Sequence, residues 1–256
     1  MLVADIFITT KNRADLLRAS LESLRTNTDN RLFRLTVVRD GDYPSTHDVV
    51  RDHQDQIDFL ITSNENEGLG PSINRALAHI ETTNRYYQDT KVPELSKVAN
   101  FICYCQDDIL YTPRWLETLV SRFTMLEKVH KLGFASGVES IEHATTRDLG
   151  GGMLLKPWIR AANMFARREY WMSMWPIPRF DPETQQIRAR PHDGMGSGVD
   201  WWFVRNHENS VVKSGRLCLV IPGLLLHAGY KDSTWLKREL PESDADKRKI
   251  RELCGE

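Results

Sequence analysis

Ala4-Asp5-Ile6-Phe7-Ile8-Thr9-Thr10, followed by Lys11-Asn12-Arg13 and then by residues 14–24, is the stretch that sets the fold class. Its opening run is short, apolar and β-branched, as a buried strand requires, and the polar Lys11-Asn12-Arg13 breaks it. Beyond the break, Leu16, Leu17, Leu21 and Leu24 recur at helical spacing. The order strand, loop, helix then repeats. Residues 35–38 give a second strand signal that stops at Arg39-Asp40-Gly41-Asp42, and residues 58–62 a third, before Asn64-Glu65-Asn66-Glu67-Gly68-Leu69-Gly70. Gly70, Pro71 and Ser72 lead into a helix marked by Ile73, Ala76, Leu77 and Ile80. Strands alternating with helices at this pace predict an α/β fold, with a mainly parallel central sheet flanked by helices and a ligand-binding edge at the strand C-termini.

Further along, residues 84–98 are polar, and residues 92–97 read as a surface insertion with little to bury. Residues 100–104 form a strand running into Gln106-Asp107-Asp108. Thr112 is placed to cap, and Pro113 to open, a helix that continues to residue 126. After Gly133 the pattern loosens, interrupted by Gly150, Gly151 and Gly152, and residues 163–175 are rich in Met and aromatics. Residues 175–198, dense in Pro, Gly, Arg and Asp, read as a long loop of the kind that often serves as a lid. Residues 217–221 and 224–227 are expected to be a last pair of strands, before a charged tail over 243–256.

A chain of 256 residues can bury one substantial core, and a single domain is expected. Charge is nearly balanced, 34 Lys and Arg against 35 Asp and Glu, so no whole-protein field draws the chain toward nucleic acid or an anionic membrane. No apolar run reaches the roughly 20 residues of a membrane helix and the start lacks the features of a signal peptide, so a soluble cytoplasmic protein is expected. Cys103, Cys105, Cys218 and Cys254 fit neither a disulfide framework nor a zinc site and are expected to be reduced thiols. Cys103 and Cys105, two apart in a strand, share a face, and packing is the ordinary role for them.

The chemistry concentrates at apparent strand ends. Asp107-Asp108 follows the apolar residues 101–105, and hard cations such as Mg2+ and Mn2+ take carboxylate oxygens while neutralising a leaving diphosphate. An isolated Asp-Asp pair is also an ordinary solvated turn. Its context argues for more. Thr9, Thr10, Lys11, Asn12 and Arg13 follow the first strand and Arg39 to Asp42 the second, and in a doubly wound sheet such loops converge on one crevice. There Asp40 can accept hydrogen bonds from a base or a ribose, and Arg13 can pair with phosphate.

The succession Thr9-Thr10-Lys11-Asn12-Arg13, Val37-Val38-Arg39-Asp40-Gly41-Asp42, the segment 64–74 and Cys105-Gln106-Asp107-Asp108 resembles the donor half of family 2 glycosyltransferases, which have the GT-A fold. Asp40 matches the acidic turn of that family, with Asp42 where Ser is common. Asn66 and Gly68 sit near its N-x-G position, with Asn74 beyond, and Asp108 matches the metal-binding end of its DxD-type motif, with Gln106 replacing the first carboxylate. The resemblance thus implies a donor site of Thr9, Thr10, Arg13, Asp40, Gly68, Asn74, Gln106 and Asp107. It also makes His227, ending an apolar strand, the late metal ligand beside Asp108, for Mn2+ or Mg2+. Gly196-Ser197-Gly198-Val199-Asp200-Trp201-Trp202 resembles the segment that carries the catalytic carboxylate of inverting members, which makes Asp200 the expected base. Capping of the following helix is the alternative role for Asp200.

Weaker candidates surround these. Trp201, Trp202 and Trp235 could stack on sugar faces or pack in the core; Arg188, Arg190 and His192 could meet an acidic acceptor or the diphosphate; Asn163 falls where related enzymes line the acceptor pocket. The expected organisation is a single GT-A domain over 1–242, with a nucleotide-sugar half to about residue 110 and an acceptor half after it. The expected activity is transfer from a nucleotide-diphosphate sugar, a UDP-sugar favoured, to an acceptor hydroxyl with inversion. The acceptor is left open between glycan, small molecule and a modified DNA base. A non-catalytic binding module of the same fold is the rival from another class, while a nucleotidyltransferase would want a Gly-rich basic loop that residues 9–15 do not supply.

Overall fold

Ile6 and Ile8 of the first strand, β1 (Ala4–Thr10), enter one apolar cluster and Phe7 enters another, because successive strand side chains point to opposite faces of a sheet. The fold is built around that division. In the computed structural model, which describes residues 2–89, 98–138, 145–159, 161–178, 199 and 202–228, helices cover both faces of one central sheet. On one face lie α1 (Ala14–Asn27), α2 (Pro44–Asp52) and α4 (Trp115–Leu126), contributing Leu17, Leu21, Leu24, Val49, Val50, Trp115, Leu119 and Phe123. The other face is covered by α3 (Leu69–Asp89) and the short α5 (Arg168–Met172), through Ile73, Ala76, Leu77, Ile80, Tyr170 and Trp171.

The sheet begins with β1, β2 (Phe33–Asp40), β3 (Phe59–Ser63) and β4 (Phe101–Gln106), and continues with β6 (Leu132–Ser136), β7 (Arg147–Gly150), β8 (Met153–Lys156), β9 (Asn163–Arg167) and β10 (Leu217–Val220). Its spatial order is β3-β2-β1-β4-β9-β6-β10-β8-β7. Only β8 and β9 run against the common direction, so the sheet is mainly parallel, as the alternation of strands and helices predicts. A separate two-stranded sheet joins β5 (Ile109–Tyr111) to β11 (Leu225–His227).

Several local expectations change. The last two strands do not pair with each other: β10 lies between β6 and β8, and β11 crosses to β5. Thr112 does not cap α4, which starts at Trp115 after Arg114 adopts a left-handed φ of 60°. The Thr112 hydroxyl and backbone N–H instead both donate to the Leu224 carbonyl, at 2.7 and 3.2 Å, tying this turn to the approach to β11. The polar run that starts at Asn84 begins inside α3, which continues to Asp89. Asn84 is fully buried, its amide set between Arg34 and Asp5, which are themselves joined by two bonds of 2.7 and 2.9 Å, so a polar network anchors the last turns of α3. The three glycines 150–152 make the bend of the β7–β8 hairpin, each with positive φ.

No described helix is long and apolar enough to cross a membrane. The insertion at 92–97, the greater part of the expected lid and the tail over 243–256 lie outside the described residues. A cavity of about 520 Å3, lined by Glu127, Lys131, Arg167, Tyr170 and Arg216 among others, opens near the start of β6 and the end of the reversed β9. That is the edge opposite the C-terminal ends of the parallel strands.

Candidate functional site

Parallel register places the ends of three strands side by side: Thr10 pairs with Arg39 and Thr9 with Gln106. Their loops therefore emerge together at the C-terminal edge, where an open α/β sheet forms its crevice. Arg13 stands at the start of α1. Its carbonyl accepts the Leu17 N–H at 2.9 Å, and its side chain reaches across to the loop after β4. There its guanidinium bonds Asp107 Oδ1 and, at 2.8 Å, Asp108 Oδ2.

The small second sheet brings in the fourth member. Antiparallel pairing sets His227 opposite Ile109, and the Ala228 N–H donates to the Asp108 carbonyl at 2.8 Å. His227 Nε2 consequently lies 3.2 Å from Asp108 Oδ1, joining residues more than a hundred positions apart. Two ligands at adjacent corners of an octahedral ion with bonds of about 2.1 Å stand roughly 3 Å apart, so this oxygen and nitrogen fit one Mn2+ or Mg2+. Among the described residues no group of three or more His, Cys, Asp or Glu is arranged to hold a metal. A metal bound here would have Asp108 and His227 as its described protein ligands, with phosphate oxygens and water to complete the shell.

Asp107 and Asp108 have side chains only 2 % exposed. Burial pushes the Asp107 carboxyl above its ordinary range, outweighing Arg13 and Thr10, which pull it down. For Asp108 burial acts in the same direction, but His227 and Arg13 together overcome it and hold the carboxyl below its ordinary range. The Arg13 guanidinium is opposed by its own burial and held protonated more firmly than usual by the two carboxylates.

Asp40 closes the neighbouring loop. Its two oxygens accept the backbone N–H groups of Glu67 and Gly68, each at 2.8 Å, and the Asn66 amide, turned to donate, reaches Asp40 Oδ2 at 3.0 Å. Asn66 Oδ1 then accepts from Lys11 Nζ at 2.8 Å, so the loops after β1, β2 and β3 are bonded into one rim. Two glycines permit this. Gly41 has φ +101° and an added Cβ would stand 2.6 Å from the Tyr43 ring; Gly68 has φ +90°. Thr9 and Thr10 are buried at the end of β1, the Thr9 hydroxyl 3.2 Å from that of Tyr104, while Gln106 ends β4 with its N–H on the Ala162 carbonyl at 2.9 Å.

Other sequence candidates are engaged elsewhere. The Asn74 amide donates to the Ile177 carbonyl at 2.7 Å and accepts its N–H at 2.8 Å, so it fastens the chain after α5 instead of facing the rim. Its neighbour Arg75, which was not singled out, pairs with Glu67 at 2.7 Å and lies 3.8 Å from Asp40. One residue along a helix turns the side chain by about 100°, and only the pairing of α3 with the rim decides which of the two faces it. Asn163 is fully buried, accepting the Gly137 N–H at 3.0 Å and donating toward the Tyr104 carbonyl and the sulfurs of Cys103 and Cys105, each at 3.3 Å, so it does not line a pocket. Trp202 donates its indole N–H to the Met174 carbonyl at 3.1 Å and begins a single π-helical turn, Trp202–Asn206. Asp200, Trp201, Trp235, Arg188, Arg190 and His192 lie outside the described residues. Lys11 was named only as part of the polar loop after β1, and Arg75 gave no signal, because an Arg on a helix is an ordinary surface residue until the helix packs beside the rim.

The chain matches the family described as Glycosyl transferase family 2 over residues 5–133. No curated protein matches it. Among solved structures it is similar to the mannosyltransferase PcManGT from Pyrobaculum calidifontis in complex with GDP-Man and Mn2+, at 16 % identity and a TM-score of 0.49 over 69 % of this chain and 47 % of that one. It is also similar to S. aureus TarS, at 13 % identity and a TM-score of 0.48 over 73 % of this chain and 32 % of that one. A shorter TarS form, residues 1–349 in complex with UDP-GlcNAc, gives 15 % identity and a TM-score of 0.39 over 59 % of this chain and 38 % of that one. The chain spans less than half the length of each of these proteins.

Proposed function

The chain belongs to glycosyl transferase family 2 and has the GT-A fold, and from that premise we propose that it transfers a sugar from a nucleotide-diphosphate donor, a UDP-sugar favoured, to an acceptor hydroxyl with the help of a divalent cation. The observation that carries the proposal is the approach of His227 Nε2 to within 3.2 Å of Asp108 Oδ1 in a buried acidic turn. Mn2+ or Mg2+ held there would neutralise the negative charge that grows on the diphosphate as it leaves.

The protein's own groups supply the rest. Arg13 offers a second positive charge toward the phosphates, and Thr9, Thr10, Gln106 and Asp107 line the same edge. Asp40 holds Glu67 and Gly68 in place through two N–H bonds, which fixes the wall against which a base or ribose would lie. Asp200, two residues before the π-helical turn, is the proposed base, taking the acceptor hydroxyl proton so that one displacement inverts the anomeric carbon. Residues 1–110 would form the donor half and the remainder up to residue 242 the acceptor half of one domain.

A thermal-shift panel of UDP- and GDP-sugars with and without Mn2+, on the wild type and on Asp108→Asn, tests the donor site, since a ligand bound only by the native state raises its stability. At 100 times its dissociation constant a donor adds about 2.7 kcal/mol. The expected result is a Mn2+-dependent rise with one donor that disappears in the variant. A rise that persists in Asp108→Asn would remove the metal from this turn.

A further inference from the structure

Arg13 is a cation already installed at the acidic turn. One terminal nitrogen of its guanidinium bonds Asp107 Oδ1 and the other lies 2.8 Å from Asp108 Oδ2, while the remaining oxygen of Asp108 faces His227 Nε2 at 3.2 Å. A single carboxylate is therefore shared between the guanidinium and the imidazole that is its proposed companion in holding a metal. The two carboxylates are fixed in the short turn between β4 and β5 and are 2 % exposed; the Arg13 side chain is 37 % exposed at the start of α1.

Resting on the reading that Asp108 and His227 hold the divalent ion, we propose that Arg13 is a counter-cation that competes with that ion for the acidic turn and yields to it when a nucleoside diphosphate binds. An ion on Asp108 would stand within a few ångströms of the guanidinium, in surroundings with little water to screen them, so each raises the free energy of the other. A diphosphate offers the guanidinium two anionic oxygens in place of the two carboxylate oxygens, one from Asp107 and one from Asp108, that it leaves. Arg13 is the member with room to turn, since the carboxylates are buried in their turn. By moving to phosphate it exchanges its carboxylate contacts for phosphate contacts and leaves Asp108 to the ion. Metal and nucleotide are then coupled, each raising the affinity of the other by the same factor. Lys11 carries the same charge on the same rim but is bonded to Asn66, which makes it the control for a general electrostatic effect.

Binding of Mn2+ alone, followed by loss of the free-ion electron paramagnetic resonance signal, tests this on the wild type, Arg13→Gln, Arg13→Lys, Lys11→Gln and Asp108→Asn, each repeated with UDP and with GDP. Arg13→Gln is expected to bind bare Mn2+ about tenfold more tightly than the wild type, with Lys11→Gln much closer to the wild type and the added effect of nucleotide smaller in Arg13→Gln. Circular dichroism checks the fold of each variant. Should Arg13→Gln fail to fold, Arg13→Lys, which keeps the charge and loses the fork, is expected to bind bare Mn2+ more tightly than the wild type by a smaller factor. Wild-type affinity for bare Mn2+ in the folded Arg13 variant, with binding abolished in Asp108→Asn, overturns the counter-cation and leaves the metal site standing. Failure of every protein to bind Mn2+, even with nucleotide present, overturns the metal site and the counter-cation with it.

Discussion

Asp107 and Asp108 are covalent neighbours with equal exposure, yet burial prevails at the first, and at the second the side chains bonded to it prevail. The difference follows from partners: Arg13 serves both, but only Asp108 also has His227. Their linkage to stability runs in opposite directions. Asp108, whose folded pKa lies below the ordinary 3.8, contributes stability that is present above 3.8 and lost as pH falls through its lowered value. Asp107, raised above 3.8, opposes folding at neutral pH, and that opposition is relieved as pH falls through its raised value. Carbon-13 NMR of the carboxyl groups, titrated from about pH 7 to about pH 2 with a chelator present, is expected to show Asp107 protonating before Asp108. The reverse order would mean that His227 does not stabilise the Asp108 carboxylate. At this scale the sequence supplied the residue types and their positions after strands, so Asp107, Asp108, Arg13 and Asp40 could be named. It could not supply who bonds whom: that Asp40 spends its oxygens on the N–H groups of residues 67 and 68 depends on the bend at Gly68, not on any property of Asp40.

At the scale of elements, helix α3 divides its duties between adjacent residues. Asn74 locks the backbone of Ile177, which leads toward residues 179–198, and Arg75 pairs with Glu67 at the donor rim. Removing the first should therefore be felt as stability and removing the second as ligand affinity. Asn74→Ala leaves a backbone donor and acceptor without their partner, a loss of about 1–3 kcal/mol that urea denaturation would register as a lower midpoint. Arg75→Ala, a partly exposed ion pair, is expected to cost no more than about 1 kcal/mol of stability while weakening binding of the nucleotide that Asn74→Ala leaves closer to normal. Equal stability losses in the two variants would sink this division of labour. The early strands and the core faces of α1 and α3 were legible because burial imposes its period on the sequence. The start of α4 was not, since Thr112 has the right chemistry for a cap and uses it on Leu224 instead. The full reach of α3 was hidden for a related reason: a polar turn is helical here because Asn84 finds Asp5 and Arg34 across the sheet.

Across the whole molecule, the region that carries the family match ends at residue 133, the second residue of β6, but the sheet does not end there. β9, which follows in sequence, inserts between β4 and β6, and β10 lies on the far side of β6. Both apolar clusters also draw on later residues: Phe165, Leu219 and Leu225 on one face, Met164, Trp171 and Phe203 on the other. Such an insertion is hard to read from sequence, because which strands become neighbours is decided by long-range pairing that leaves no local periodicity. Its consequence for stability is direct. A chain cut after residue 133 would expose β4 as a long apolar edge and strip Ile102, Cys103 and Tyr104 of their cover, with the loss of His227 from Asp108 as well. The fragment 1–133 is expected to show no cooperative thermal transition, to bind a hydrophobic dye and to aggregate, whereas the full chain unfolds in one transition seen alike by far-ultraviolet and near-ultraviolet circular dichroism. A fragment that melts cooperatively and still binds nucleotide would show the donor half to be an autonomous domain. It would also mean that β9 and β10 add the acceptor side to a finished core, and that the pairing of His227 with Asp108 joins two units instead of closing one.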